Sequence, residues 1–221
     1  SSGGVEVDRA TESERFERTE HIAGVNHRGA GDARNTGIWH SEGQYIAFLD
    51  DDDTWHPDKL SRQVATFREA ADDVGVVYTA LEFVADGSVI RRSNATTAGD
   101  VTRPLLEGAR LGTFSTMMVR SSFVPRAGFV DPRLPTLEDR DWSLRLSRHC
   151  RFEALRTPLV QYRQGDHEQL TDEYSVLAEE SVPRFRRKHR PLAASYGRDC
   201  ERQFLCSLQR TCTLSALSSG K

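Results

Sequence analysis

The chain has 221 residues, of which 37% are hydrophobic, 29% charged and 8% aromatic, the proportions of an ordinary globular domain. Its 30 basic and 33 acidic residues give a net charge of -3, which argues against a nucleic-acid binder that neutralises phosphates across a basic face. No run approaches the roughly 18 apolar residues of a membrane-spanning helix, and no apolar block flanked by basic residues stands near the start, so neither an anchor nor a secretion signal is expected and the protein is read as cytoplasmic.

Residues 1–20 are polar and without periodicity, and are read as a surface segment or the remnant of a larger unit. A short apolar stretch from Ile22 to Val25 and a glycine-rich turn through Gly29 and Gly31 precede a helix expected from Ala33 to Ser41, with Asp32 as its cap. Tyr45 to Leu49 reads as a buried strand that ends abruptly in four aspartates. After Pro57, Leu60, Val64, Phe67 and Ala71 recur at helical spacing and predict an amphipathic helix from about Asp58.

Val74 to Val84 reads as a strand, Asp86-Gly87 as a hairpin turn and Val89-Ile90 as the returning strand. Asn94-Ala95-Thr96 matches a glycosylation sequon, but without a secretion signal its use is not expected. Phe114 to Val119 predicts a strand, Glu138 to Arg148 a helix, and Leu155 to Tyr162 an extended segment interrupted by Pro158. Tyr174 to Leu177 and Tyr196 to Leu208 look helical. The alternation favours a single α/β sheet, mixed but mainly parallel and covered by helices, with its ligand at the carboxyl ends of the strands. Cys150, Cys200, Cys206 and Cys212 form no C-x-x-C pair and are read as reduced thiols.

Asp50-Asp51-Asp52-Asp53 carries the strongest chemical signal. Four adjacent carboxylates at the end of a buried strand repel one another unless a cation joins them. In an extended segment Asp50 and Asp52 point to one side, toward a metal, and Asp51 and Asp53 to the other. An all-oxygen site of this kind suits Mg²⁺ or Mn²⁺, held by one or two carboxylates with substrate phosphates completing the shell.

The segment Asn26-x-x-Gly29-x-x-x-Ala33-Arg34-Asn35-x-Gly37-Ile38, then Glu42-Gly43-x-Tyr45-Ile46-Ala47-Phe48-Leu49-Asp50-x-Asp52-Asp53, then Trp55-x-Pro57-x-Lys59-Leu60, resembles the central block of the family-two inverting glycosyltransferases with the GT-A fold, a Rossmann-like fold for nucleotide-diphosphate sugars. Phe114 to Arg120, Gly128 to Asp131, Leu137 to Trp142 and Pro158 to Arg163 resemble that family's acceptor-side half. The resemblance covers roughly residues 21–170, divided into a donor and metal half at 21–84 and an acceptor half at 85–170, with 171–221 as a helical C-terminal extension.

The resemblance implies that Asp50 and Asp52 hold Mn²⁺ or Mg²⁺ on the diphosphate of a nucleotide sugar, that Asp50 and Asp51 lie near the ribose or sugar, and that Arg34 lines the nucleotide side. By the same resemblance Asp139, in the Glu138-Asp139 pair, is the general base that takes the proton of an acceptor hydroxyl, and Arg163 or His167 contacts the diphosphate from a closing segment. For Arg34 a salt bridge holding its helix to the sheet is the competing reading. The implied reaction moves a sugar to a hydroxyl of a glycan, lipid-linked or polysaccharide acceptor.

The chain departs from the family at its start, where the two nucleotide-binding turns of complete members have no counterpart, so the first strand–helix–strand part is expected to be lost. The alternative reading is therefore a truncated relative that binds a nucleotide or a partner without turnover. A Mg²⁺-dependent phosphohydrolase ranks well below both, since no accompanying Lys, Ser or Thr motif is present. Residues 184–190, Arg-Phe-Arg-Arg-Lys-His-Arg, could rest on the anionic inner face of a membrane, and a solvated helix face is the favoured reading.

Overall fold

The computed structural model describes residues 19–22, 29–163 and 174–218. Chain order begins with helix α1 (Ala30–His40), strand β1 (Tyr45–Ala47), strand β2 (Thr54–Trp55), helix α2 (Lys59–Glu69) and the long strand β3 (Val74–Ala85). Strand β4 (Ser88–Arg92), helix α3 (Thr102–Leu106), strand β5 (Met117–Arg120), helix α4 (Val124–Ala127), helix α5 (Glu138–Ser147) and strand β6 (Arg151–Arg163) follow. A π-helical turn (Val176–Ser181) leads into helices α6 (Val182–Ser195) and α7 (Arg198–Ser218).

The strands form one sheet in the order β1-β5-β3-β6-β2, with β4 paired to β3. The expected mixed sheet is present, but among the described residues its mainly parallel character is not. Only β3 and β6 run parallel; β1–β5, β3–β5, β3–β4 and β2–β6 are antiparallel. Parallel neighbours need a long crossover, and α5 lies in the connection that precedes β6. The β3–β4 link is instead a two-residue hairpin: Asp86 and Gly87 both have positive φ, 49° and 73°, as the primed turns of tight hairpins require.

Pro158 lies within β6 rather than ending it. The β3–β6 register shifts where Pro158 faces Ala80, because proline has no N–H to donate to the ladder and is accommodated at a bulge.

Several boundaries differ from expectation. Helix α1 starts at Ala30, so Asp32 sits in its first turn rather than capping it. Residues 114–116 form a 3-10 turn ahead of β5 instead of a continuous strand. Helix α2 buries Lys59, Gln63 and Phe67, whereas Leu60 stays exposed. The inward row is thus shifted from the predicted apolar one, and two polar side chains that satisfy each other occupy the sheet-facing side.

The main core lies between the sheet and α5–α7, around an aromatic cluster of Phe48, Phe114 and Trp142, whose ring centroids are 5.1–5.7 Å apart. A smaller cluster of Phe67, Val74, Val77 and Met118 packs α2 on the other face. Phe185 of α6 stacks on Phe204 of α7 at 6.0 Å, and both belong to the main core, so the C-terminal helices are integral to it. Among the described residues no helix is long and apolar enough to cross a membrane.

Candidate active site

Past the end of β1 the chain turns back on itself: the Asp53 backbone N–H donates to the Asp50 carbonyl at 3.1 Å. The four aspartates therefore lie on a tight turn, and the alternation expected of an extended segment, with Asp50 and Asp52 to one side, does not apply to them. Asp51 is exposed, Asp50 and Asp52 are partly buried, and Asp53 is buried. The turn is held by Ser115, whose hydroxyl accepts from the Asp50 backbone N–H at 3.1 Å and whose carbonyl accepts from Trp55 Nε1 at 2.9 Å.

Arg34 reaches the turn from α1. Its guanidinium donates to Asp50 Oδ1 at 2.6 Å and to Glu138 Oε1 at 2.9 Å, lies 4.2 Å from the centre of the Phe114 ring, and is only 14% exposed. One side chain thus joins the acidic turn of the first half to the Glu138-Asp139 pair of the second. The salt-bridge reading of Arg34 is the one the contacts show, with Asp50 and Glu138 as its partners. The neighbouring Asn35 fixes this geometry by exchanging two 2.8 Å hydrogen bonds with the backbone of Val130. Gly31, one turn earlier, lets α1 approach the same loop; a Cβ there would stand 3.3 Å from Pro132 Cα.

Glu138 and Asp139 open α5. The residue before them, Leu137, holds φ 66° and ψ 12°, a left-handed conformation that costs a branched residue about 1–2 kcal/mol. Strain of this kind persists only where the surroundings over-determine it, and it collects at functional sites. Burial and the adjacent Asp139 raise the Glu138 carboxyl to about 7. Asp139 is likewise raised by burial, against the lowering effects of the Arg140 backbone N–H and of Arg110 and Arg34. Two carboxyls side by side in a dry environment share the tendency to keep a proton.

Asp53, expected to point away from the metal toward ligand hydroxyls or backbone amides, is the most unusual acid of the turn. Its two carboxyl oxygens are shielded from solvent and make no hydrogen bond of good geometry. Burial raises it to about 6, with the Ser115 hydroxyl partly offsetting the shift and Asp52 and Asp50 adding to it. The β2–β6 pairing, Thr54 with Gln161 and Trp55 with Val160, carries the end of β6 to this turn, so Tyr162 feels the field of Asp53 and Arg163 lies beside it. His167 lies outside the described residues.

Lys59 was also legible only as a motif letter. It is fully buried; its Nζ lies 4.1 Å from the centre of the Trp55 ring and donates to Gln63 Oε1 at 2.8 Å. Burial lowers its ammonium to about 7. Gln63 in turn donates to the carbonyls of Val77 and Thr116. Lys59, Gln63 and Ser115 thus form the underside of the aspartate turn, and nothing in the residue spacing distinguishes them from an ordinary helix face and strand.

The Asp50–Asp53 turn fits a divalent cation in one respect and departs from it in another. No group of three or more potential ligands converges among the described residues, so the turn is not a protein cage. It does offer the one or two carboxylates that Mg²⁺ or Mn²⁺ takes when phosphates complete the shell, and the unpartnered Asp53 carboxyl sits against it. A groove of about 390 Å³ runs from this turn between α1 and β1, lined by Arg34, Gly37, Ile46, Phe48, Asp50 and Asp51 among others. A larger groove of about 500 Å³ lies on the outer side of α6 and α7, away from these acids.

The basic stretch at 184–190 keeps Arg184, Arg186, Arg187, Lys188 and Arg190 exposed on α6, and several of them are engaged in surface contacts. Phe185 and His189 are buried, Lys188 pairs with Asp131 and Asp141, Arg190 pairs with Glu201, and Arg184 donates to the Arg133 carbonyl.

Residues 7–122 match the family model described as glycosyl transferase family 2. The putative glycosyltransferase EpsH of Bacillus subtilis is 28% identical over 171 residues, 73% of this chain and 49% of EpsH. The amylovoran biosynthesis glycosyltransferase AmsB of Erwinia amylovora is 38% identical over 66 residues, 28% of this chain and 22% of AmsB. The chain therefore spans less than half the length of these curated relatives. Among solved structures, S. aureus TarS 1-349 in complex with UDP-GlcNAc aligns with TM-score 0.55 at 17% identity, over 84% of this chain and 62% of TarS. Its complex with UDP aligns with TM-score 0.50 at 20% identity, over 68% and 43%.

These likenesses show the expected GT-A-like fold. The family match spans more than half of the chain and includes α1 with Arg34 and the aspartate turn. On the ground of that match the chain belongs to glycosyl transferase family 2.

Proposed function

We propose that the chain transfers a sugar from a nucleotide-diphosphate sugar to a hydroxyl of a glycan, lipid-linked or polysaccharide acceptor, with inversion at the anomeric carbon and with Mn²⁺ or Mg²⁺ at the aspartate turn. The observation that carries this reading is the Arg34 bridge, which couples the candidate metal turn at Asp50 to the Glu138-Asp139 pair through one guanidinium. In this reading a donor held at the first and a base held at the second are linked through that one side chain. TarS is described in complex with UDP and UDP-GlcNAc, which supports a uridine nucleotide as the first donor to try.

In this reading Asp50 and Asp52 would hold the cation, with Asp53 beneath them. When bound, the cation supplies charge neutralisation to the departing diphosphate without a proton donor. Asp139 accepts the proton of the acceptor hydroxyl, whose oxygen forms the new bond to the anomeric carbon from the side opposite the breaking carbon–oxygen bond; the electron pair of that bond leaves with the diphosphate. Burial raises the affinity of Asp139 for a proton, the direction that strengthens a base. Arg34 sets the spacing between the two carboxylate centres, and we assign contact with the diphosphate to Arg163, at the end of β6 beside Asp53.

The test is a thermal-unfolding series of the chain with UDP, GDP, dTDP and CDP, each with and without Mn²⁺, followed by nucleotide release from the matching sugar donor. A ligand that binds only the folded state raises its apparent stability. Stabilisation by one nucleotide that requires Mn²⁺, lost in Asp52→Ala, is the expected result. No stabilisation by any nucleotide would overturn the reading in favour of a relative without a working donor site.

A further inference from the structure

We infer that the C-terminal helices α6 and α7 act as a clamp that positions the general base, with Ser207, Lys188 and His189 as positioning residues for Asp139. The inference rests on the reading of Asp139 as that base. It assigns a catalytic duty to a part of the chain that lies wholly outside the family match, which ends at residue 122.

The two residues after Asp139 are both gripped by the C-terminal helices. Arg140 donates through Nη2 to the Ser207 hydroxyl of α7 at 2.9 Å and to the Leu105 carbonyl at 3.3 Å, and its guanidinium lies 5.2 Å from the centre of the Phe185 ring of α6. Asp141 is fully buried and receives three cationic or imidazole donors: His189 Nε2 at 2.7 Å and Lys188 Nζ at 2.8 Å from α6, and Arg145 Nε at 2.8 Å from its own helix. Arg145 passes the restraint on to the carbonyls of Ala127 and Phe129.

The loop that leads into α5 is held from the same side. The Thr136 backbone N–H donates to Ser181 Oγ at 3.2 Å, Arg184 bonds the Arg133 carbonyl, and Lys188 bonds Asp131 at 2.8 Å. Leu137, between these anchors and Asp139, is the residue in the left-handed conformation. The strain at Leu137 and the direction of Asp139 are therefore set by contacts on both sides that come from residues 181–207. Hydrogen bonds from Ser181, α6 and α7 thus reach the two residues after the base and three positions of the loop before it, and so bracket the first turn of α5 from both sides. Misplacing a reacting group by about 1 Å costs on the order of 100-fold in rate, so a clamp of this kind has a catalytic consequence.

The test uses the full chain with Ser207→Ala and His189→Leu, which remove one grip each, and Ser207→Thr and His189→Gln, which keep a donor or acceptor in place. Amide hydrogen exchange is read at residues 138–141 of α5 and at Val76, Val77 and Val119 of the sheet. Release of UDP from UDP-GlcNAc and UDP-glucose with Mn²⁺ is read alongside. We expect exchange at 138–141 to quicken about tenfold in the Ala and Leu variants with the sheet unchanged, kcat to fall about tenfold or more with KM for the donor within about twofold, and the Thr and Gln variants to restore both.

Unchanged exchange at 138–141, or quickening shared equally by the sheet, overturns the clamp; quickened exchange with unaltered kcat overturns its catalytic role. Asp139→Asn keeping full turnover would strike the general-base reading instead. Absence of wild-type turnover would strike the proposed reaction, and the exchange result then decides the clamp alone.

Discussion

Arg34 Nη2 lies 2.6 Å from Asp50 Oδ1, and this ion pair spans the two halves of the site, because the other arm of the same guanidinium holds Glu138. The bridge is largely desolvated, and removing one partner of such a pair strands the others. Arg34→Ala is expected to lower stability by about 2–3 kcal/mol, somewhat below the range for a fully buried pair because Asp50 keeps partial solvent access, and to reduce transfer more than 100-fold. Arg34→Lys restores charge but not the two-armed geometry, so it should recover part of the stability and little of the rate. Denaturant unfolding and nucleotide release separate the two effects; Arg34→Lys with wild-type turnover would show that charge alone suffices.

The proton affinity of Asp139 sets a pH dependence. A base works when ionised, and burial raises this carboxyl above its ordinary value, so kcat is expected to fall as pH drops through that raised value and to level off above it. Asp139→Asn keeps the shape of the side chain without its basicity. It should retain Mn²⁺-dependent nucleotide binding within about threefold and lose transfer by about 10²–10⁴-fold. A variant that transfers normally would remove Asp139 from the role.

How far the sequence exposed this site depends on the kind of signal each residue leaves. The aspartate run was readable because four acids stood at the end of an apolar strand, where a sheet of this class places ligands, whereas Arg34, Glu138 and Asp139 were readable only through the family resemblance. The bridge between Asp50 and Glu138 was not, since it joins residues far apart in the chain and depends on how α1 is seated by Asn35 and Gly31. The burial of Asp53 left no mark in the sequence, since it comes from the turn and from the pairing of β2 with β6 beside it. Lys59 and Gln63 left no signal of burial, because polarity normally marks the solvent face of a helix; here mutual hydrogen bonding and the Trp55 ring let them turn inward. The mainly parallel sheet was inferred from strand–helix alternation, a cue that does not see the hairpin and the antiparallel β5.

Asp53 should make stability fall as pH rises. Its folded value of about 6 lies above the ordinary 3.8, so the folded chain holds a proton that the unfolded chain has lost between these values. The favourable contribution is complete below pH 3.8 and is lost progressively up to about pH 6; the full swing is about 3 kcal/mol. Asp53→Asn removes the ionisation and is expected to unfold about 1–2 kcal/mol later than wild type at pH 7.5 without metal, with little difference at pH 4. Urea titrations at the two pH values decide it. An equal effect at both would mean that packing, not charge, governs the position. Mn²⁺ with nucleotide should narrow the gap at pH 7.5, because a cation beside the turn offsets the buried charge that the variant lacks.

Lys59 carries the opposite sign. Its folded value, lowered to about 7 from 10.5, means that from pH 7 to 10.5 the unfolded chain binds a proton that the folded chain has released, so this group's contribution to stability rises with pH across that window. Below pH 7 both states are protonated and the whole penalty of burying the ammonium is felt. Lys59→Met keeps the length and bulk of the side chain and removes the charge; it forfeits the hydrogen bond to Gln63 and the stacking on Trp55. Replacing a buried charge by an apolar side chain of similar volume commonly stabilises by about 1–4 kcal/mol, and we expect a gain at the lower end of that range at pH 6 that shrinks toward zero near pH 10. The same variant should shift the fluorescence of Trp55 and weaken Mn²⁺-dependent nucleotide binding, because the Trp55 indole is the group that ties Ser115, and through it the Asp50 backbone, to α2. Destabilisation at pH 6 would instead mean that the ammonium is held by more than Gln63 and the indole face, and that its charge supports the turn directly.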